Sequence, residues 1–209
     1  MKKIFFFIFL LFSLNLFSQE KNKPKYELGV NLITFNYTEH DFYNTEQIPV
    51  FQTFNEIYLK IKKENYTLRM RAYFNENKTI YLRGWNQSAE IHNDYQVLIG
   101  LQKNIFNEWM YGFADAGLRF LKTKGHYDGE FTSEDYSSIS QGIIANIGIG
   151  FKINLNKTLC FSSEFSMNSC FQKTDTYIEK GWYMDIGKTY QRRNWINTPQ
   201  ARLMLGFRF

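Results

Sequence analysis

Pro199-Gln-Ala-Arg-Leu-Met-Leu-Gly-Phe-Arg-Phe209 carries an apolar residue at every odd position, with Gln200, Arg202, Met204, Gly206 and Arg208 between them. Successive side chains of a strand point to opposite faces, so this stretch predicts one continuous apolar face and one polar or bare face. Its length matches the roughly 9–11 residues of a tilted strand that crosses a bilayer. The same pattern recurs upstream. Tyr26, Leu28, Val30 and Leu32 alternate with polar or small residues, as do Ile57, Leu59 and Ile61, then Leu68, Met70, Ala72 and Phe74. Further runs follow over Tyr95 to Leu101, Ala114 to Phe120, Ile143 to Leu155 and Leu159 to Met167. Together they predict about eight strands.

The other terminus reads as a secretory signal. Met1-Lys2-Lys3 is basic, Ile4 to Phe12 is apolar, and small or polar residues precede Gln19-Glu20-Lys21. The apolar core is shorter than the roughly 18 residues of a spanning helix. The division expected is a cleavable signal peptide over residues 1–18 and one domain over 19–209. Without Lys2 and Lys3 the 25 bases become 23 against 20 acids, too mild a balance to indicate a nucleic-acid partner. Aromatics make up 19% of the chain, yet mean hydropathy is only -0.40. That combination suits the aromatic girdles of a membrane β-barrel better than membrane helices.

The connections alternate in length. Lys63 to Asn65, Asn104 to Asn107 and Asn154 to Lys157 are short. Thr38 to Phe54, Asn75 to Ile91, Thr123 to Gln141 and Lys173 to Asn197 are long, polar and rich in aromatics. Short turns on one rim and long loops on the other are the layout of an outer-membrane barrel with both termini in the periplasm. A soluble up-and-down barrel alternates equally well, and the glycines separate the two. Gly29, Gly100, Gly117, Gly142, Gly148, Gly150 and Gly206 share the parity of the polar residues, with Gly112 the exception. Bare positions on a solvent face only weaken strands, whereas in a lumen barely wide enough for side chains they make room for long ones.

With this signal, these strands and the closing Leu203-Met-Leu-Gly-Phe-Arg-Phe209, the chain resembles the small Gram-negative outer-membrane β-barrel family, the OmpA/OmpX-like group. The resemblance implies an all-β, closed antiparallel up-and-down transmembrane barrel with short periplasmic turns and long extracellular loops. It also implies that Leu203, Leu205, Phe207 and Phe209 form the signal read by the barrel-assembly machinery. Outer-membrane lipid and lipopolysaccharide are the surrounding partners expected, with an extracellular ligand through the long loops. Fold of this kind implies location far more than activity.

The polar face carries Glu27, Glu56, Asp115 and Glu164 together with Lys60, Arg69, Arg71, Arg119, Lys152, Arg202 and Arg208. In a narrow lumen these must pair, because an unpaired buried charge is costly. The reading favoured is a charge-filled lumen, and the excess of three bases motivates a small anion-preferring pore as the alternative. On one strand, Cys160 and Cys170 would be separated by roughly 34 Å at about 3.4 Å per residue, whereas a disulfide needs Cα atoms within about 7 Å. They are expected to be free and inward.

Catalytic signals are weak. His126, Asp128 and Glu130 form a poor metal set with one His and no fourth ligand, and His40 and His92 have no sequence neighbours of that kind. A Ser/His hydrolase site would use His126 with Ser133, Ser137, Ser138 or Ser140, but the His-x-Ser arrangement of outer-membrane lipid A deacylases is missing. No enzyme activity, metal or cofactor is expected. A lipid-modifying enzyme of the outer membrane and an accessory barrel of a secretion system are the competing functions. In the long loops Tyr81, Trp85, Trp182, Tyr183 and Trp195 are of the types that anchor interfaces, which makes them candidates for surface binding.

Overall fold

The computed structural model describes residues 25–38, 48–63, 66–83, 86–106, 109–128, 133–180, 187 and 189–209, with the backbone alone described at 36–38, 48–50, 79–83, 86–88, 127–128 and 180. Among the described residues nine antiparallel strands form one sheet: β1 (Lys25–Thr38), β2 (Ile48–Thr53), β3 (Glu56–Lys63), β4 (Tyr66–Arg83), β5 (Asn86–Phe106), β6 (Met110–Asp128), β7 (Ser133–Asn154), β8 (Leu159–Lys180) and β9 (Thr189–Arg208). β9 pairs back onto β1, so the sheet closes into a ring. β1 meets β3 along Lys25 to Val30 and β2 along Ile33 to Thr38. β2 and β3 therefore share one place in a ring eight strands wide, interrupted at Phe54, whose φ of 53° is left-handed, and Asn55.

Alternation sorts the side chains as strand geometry requires. On β9 Met204 is 1% exposed, while Leu203 faces outward. Leu118, Val97 and Ile147 are each about two-thirds exposed, at 68%, 66% and 67%. So large an apolar surface is tolerable only against lipid. Two aromatic rows bound it. Phe74, Tyr95 and Phe120 sit opposite one another across β4, β5 and β6, and Phe171 lies 6.0 Å from Trp195 on β8 and β9. At the other rim Tyr26 stacks on Phe209 at 5.8 Å, and Trp109 lies between Phe106 and Phe151 at 6.3 and 5.9 Å. Tyr26 and Phe209 also exchange two backbone hydrogen bonds of 3.1 Å, which brings both ends of the described chain to this rim. The short turn after β7 lies there too, and in it Asn156 Oδ1 accepts from Thr158 and Leu159 N–H at 2.9 and 2.6 Å.

Two expectations need correction. Among the described residues, the segments read as long loops are mostly sheet. β4 and β5 stay paired out to Arg83 and Asn86, β6 and β7 to Asp128 and Ser133, and β8 and β9 to Tyr177 and Thr189. β2 lies within the presumed loop from Thr38 to Phe54. Beyond the aromatic row these strands turn Lys122, Lys124, Lys173 and Arg193 outward. Standing clear of hydrocarbon, they need no apolar outer face, so an alternation defined by apolar residues stopped at the membrane boundary. The second correction is in β1, where a bulge between Asn31 and Ile33 puts one extra residue at Leu32. Asn31 and Thr34 both face inward as a result, and Ile33 replaces Leu32 in the outward series.

The glycines face large rings. A Cβ on Gly150 would run into the ring of Tyr111, and one on Gly29 or Gly206 into Tyr58. Both tyrosines are at most 1% exposed. Gly112 has the outward parity, and a Cβ there would meet Ile105 at an ordinary 3.4 Å.

Ile147 and Ile139 face outward on the same strand, one midway between the aromatic rows and one above them. Ile147→Arg should cost about 2–4 kcal/mol of assembly, as a charge at the bilayer midplane does, and Ile139→Arg should be close to neutral. The band that shifts on boiling, measured by gel after refolding into vesicles, should shrink only for the first.

Candidate functional site

Period-2 geometry puts Arg69 and Arg71 of β4 on the inward face beside Glu56 and Lys60 of β3, and the closed ring brings Asp115 of β6, Glu164 of β8 and Arg202 of β9 across to meet them. All seven are 3% exposed or less. The Arg71 guanidinium donates from Nε and Nη2 to the two oxygens of Glu56 at 2.8 and 2.7 Å, and from Nη1 to Asp115 at 2.8 Å. Arg69 Nη2 donates to Glu164 at 2.9 Å and its Nε lies 3.2 Å from Asp115, while its guanidinium sits 3.9 Å from the centre of the Phe113 ring. Arg202 lies 3.5 Å from Glu56 and 3.7 Å from Glu164. Lys60 Nζ stands 3.6 Å from Glu164 and 4.9 Å above each of the rings of Tyr58 and Tyr111. Tyr111 in turn donates to Glu164 at 2.8 Å. Two-pronged arginine–carboxylate pairs of this kind are directional as well as strong.

The remaining members of the predicted set lie toward the ends. Glu27 meets Lys152, Arg208 at 3.5 Å and Lys60 at 3.8 Å, close to the rim with the termini. Arg119 stands apart, above the central cluster. It donates to Asp94 at 3.1 and 3.0 Å and to Gln172 at 3.3 Å. Between these levels Leu98, Ile144 and Cys170 make a small apolar layer.

Sequence reasoning missed four inward groups in the upper lumen. Asp94 is one; the others are Glu90, His92 and Tyr136. Glu90 accepts from Tyr136 and lies 3.0 Å from His92 Nε2, and His92 Nδ1 is 3.0 Å from Thr123 Oγ1. Starting β5 at Tyr95 hid the first three, although Glu90, His92, Asp94 and Gln96 keep one parity, and Tyr136 of β7 fell in the segment read as the loop from Thr123 to Gln141. A fifth feature, the polar chain Asn31, Thr34, Asn55, Gln52 and Tyr73, spans the break between β2 and β3. Its bonds include Asn55 to Gln52 at 2.7 Å and Tyr73 to Gln52 at 2.6 Å. With Asp94 and Glu90 counted, the acids inside come closer to the bases, and the excess that motivated a pore shrinks.

Cys160 and Cys170 are free and buried. His126 Nδ1 bonds Asp135 Oδ1 at 2.6 Å near the far rim, and among the described residues no three ligating side chains gather round a metal-sized space. Leu203, Leu205, Phe207 and Phe209 follow the outward parity of the closing strand. Of the residues read as surface binders, Trp195 lies beside Phe171 in the aromatic row, with Nε1 donating to Asn197 at 3.1 Å. Tyr81 is described only by its backbone pairing with Ser88, and Trp85, Trp182 and Tyr183 lie outside the described residues.

No family model and no curated protein sequence matches the chain. Solved structures do. Ail, the attachment invasion locus protein of Yersinia pestis, solved with the heparin analogue sucrose octasulfate, superposes with a TM-score of 0.50 at 12% identity, over 90% of this chain and 99% of its own. A major outer membrane protein from Thermus thermophilus gives a TM-score of 0.50 at 12% identity, over 89% of this chain and 99% of its own. At such identities the likeness concerns architecture, and with the closed ring, the apolar outer face and the two aromatic rows it gives the chain the fold of the small outer-membrane β-barrel proteins.

Proposed function

We propose that the protein is exported by a cleavable signal at residues 1–18 and serves in the outer membrane as a structural or surface-interaction barrel with an occluded lumen. The observation that carries this reading is the ion-pair lattice of Glu56, Lys60, Arg69, Arg71, Asp115, Glu164 and Arg202, drawn from five strands and at most 3% exposed. A conducting path needs continuous water, and here guanidinium groups and carboxylates occupy the middle of the lumen at hydrogen-bonding distances. Buried pairs are weak evidence for stability; their contribution in this reading is to fill space and bind opposite walls together.

In this orientation both termini face the periplasm and the protruding sheet faces outward. Lys122, Lys124, Lys173 and Arg193 then stand just beyond the aromatic row, at the height of lipopolysaccharide phosphates, which favours lipopolysaccharide as the first partner of that surface. Leu203, Leu205, Phe207 and Phe209 would engage the barrel-assembly machinery before closure. No arrangement among the described lumen residues supports a lipid-modifying or secretion-accessory role.

In planar bilayers the folded protein should give no steady openings, and sustained nanosiemens conductance would overturn the occluded lumen. Glu164→Gln leaves four cations short of a counter-charge and should cost about 3–5 kcal/mol in urea unfolding followed by tryptophan fluorescence; adding Arg69→Met should recover part of it. Lys122→Glu combined with Lys124→Glu should lower lipopolysaccharide binding to the refolded barrel, and the difference should narrow at high salt.

A further inference from the structure

At the rim where the termini meet, the lumen opens into a cavity of about 70 Å³. A buried water occupies about 10–15 Å³ by this measure, so there is room for about five, or for one anion of five heavy atoms. Among the described residues, Lys25, Lys60, Lys62, Lys152 and Arg208 line it against a single acid, Glu27. Glu27 is engaged by Lys60, Lys152 and Arg208, and among the described residues lining the cavity bases outnumber acids five to one. Its inner end stops at Lys60, whose side chain is only 3% exposed. Lys60 Nζ is 3.6 and 3.8 Å from Glu164 and Glu27, and it donates no hydrogen bond to any described residue. A buried ammonium that its two carboxylates hold only at ion-pair distance, with no hydrogen bond made, and that lines a cationic pocket can take an acceptor that brings several oxygens and negative charge. Low-dielectric walls concentrate that field.

We infer that this basal cavity is a binding site for one tetrahedral oxyanion, a phosphate that is either free or the terminal group of a lipid headgroup. Lys60 forms the floor, Lys152 and Arg208 one side, and Lys25 and Lys62 the mouth. The site is distinct from the protruding sheet and from any path through the lumen, since the central lattice closes it behind Lys60. It depends on the cavity and its charges, so an open lumen would not by itself remove it.

The test is a titration of the full chain, refolded in uncharged maltoside micelles, with inorganic phosphate at constant ionic strength. Amide shifts of Thr67, Gln102 and Asn104, which line the cavity, report binding. A saturable response to phosphate and none to chloride is expected. Lys25→Gln with Lys62→Gln lies at the mouth, away from the central lattice, and should weaken the response by about fivefold or more while leaving the boiling-dependent gel shift intact. Repeating the titration in nanodiscs that contain phosphatidic acid, whose phosphate is terminal, separates the sources: loss of the response assigns the site to a lipid headgroup and persistence assigns it to the free anion, both in support. A non-saturable response, one equal to that of chloride, or one unchanged by the double substitution would overturn the site.

Discussion

Glu164 is wholly buried, and four cations, Lys60, Arg69, Arg71 and Arg202, approach its carboxylate to within 4.0 Å. A charge in that position is tolerable only if several partners reach it at once, and they come from β3, β4 and β9 while Glu164 stands on β8. The requirement shapes much else. Long cationic side chains need space, which Gly29, Gly150 and Gly206 help to provide by letting Tyr58 and Tyr111 lie flat against the wall. Those rings then form the faces over which Lys60 sits.

The outer face obeys the complementary constraint. Within the bilayer nothing polar can be left unpaired, so the ring must close and its outward side chains must be apolar. Above the aromatic row water is available again, and the sheet continues with lysine and arginine on its outer surface. One set of strands therefore serves two solvents, and its residue pattern changes where the solvent changes.

That change marks how much was legible beforehand. Within the membrane span the alternation of Ile143 to Leu155 or Leu68 to Phe74 is defined by chemistry that only one face can accept, so strand type, parity and the inward direction of Arg69 and Arg71 could be read from spacing. Above it, Lys122 and Thr123 are both polar, and no contrast shows which of them is inside; Thr123 is. Asp94, Glu90 and His92 were lost for that reason. The bulge at Leu32 and the break at Phe54 had no local signal strong enough to announce them, since Leu32-Ile33 fits an uninterrupted strand equally well. Which charges would pair was also illegible, because partners such as Arg69 and Glu164 are 95 positions apart and meet only through the shear of the ring.

The pairing of Tyr26 with Phe209 has a consequence for how the molecule forms. It joins residues separated by almost the whole described chain, so the last contact made in closing the ring bears the largest loop-closure entropy. Until it is made, the lumen is an open trough wet on one side, and carboxylates such as Glu164 retain their hydration. Dehydration of the lattice and closure of the seam are thus one event. A half-formed barrel gains little from its ion pairs, so the species that accumulate should be the open chain and the finished ring, with long sequence separation making the passage between them slow.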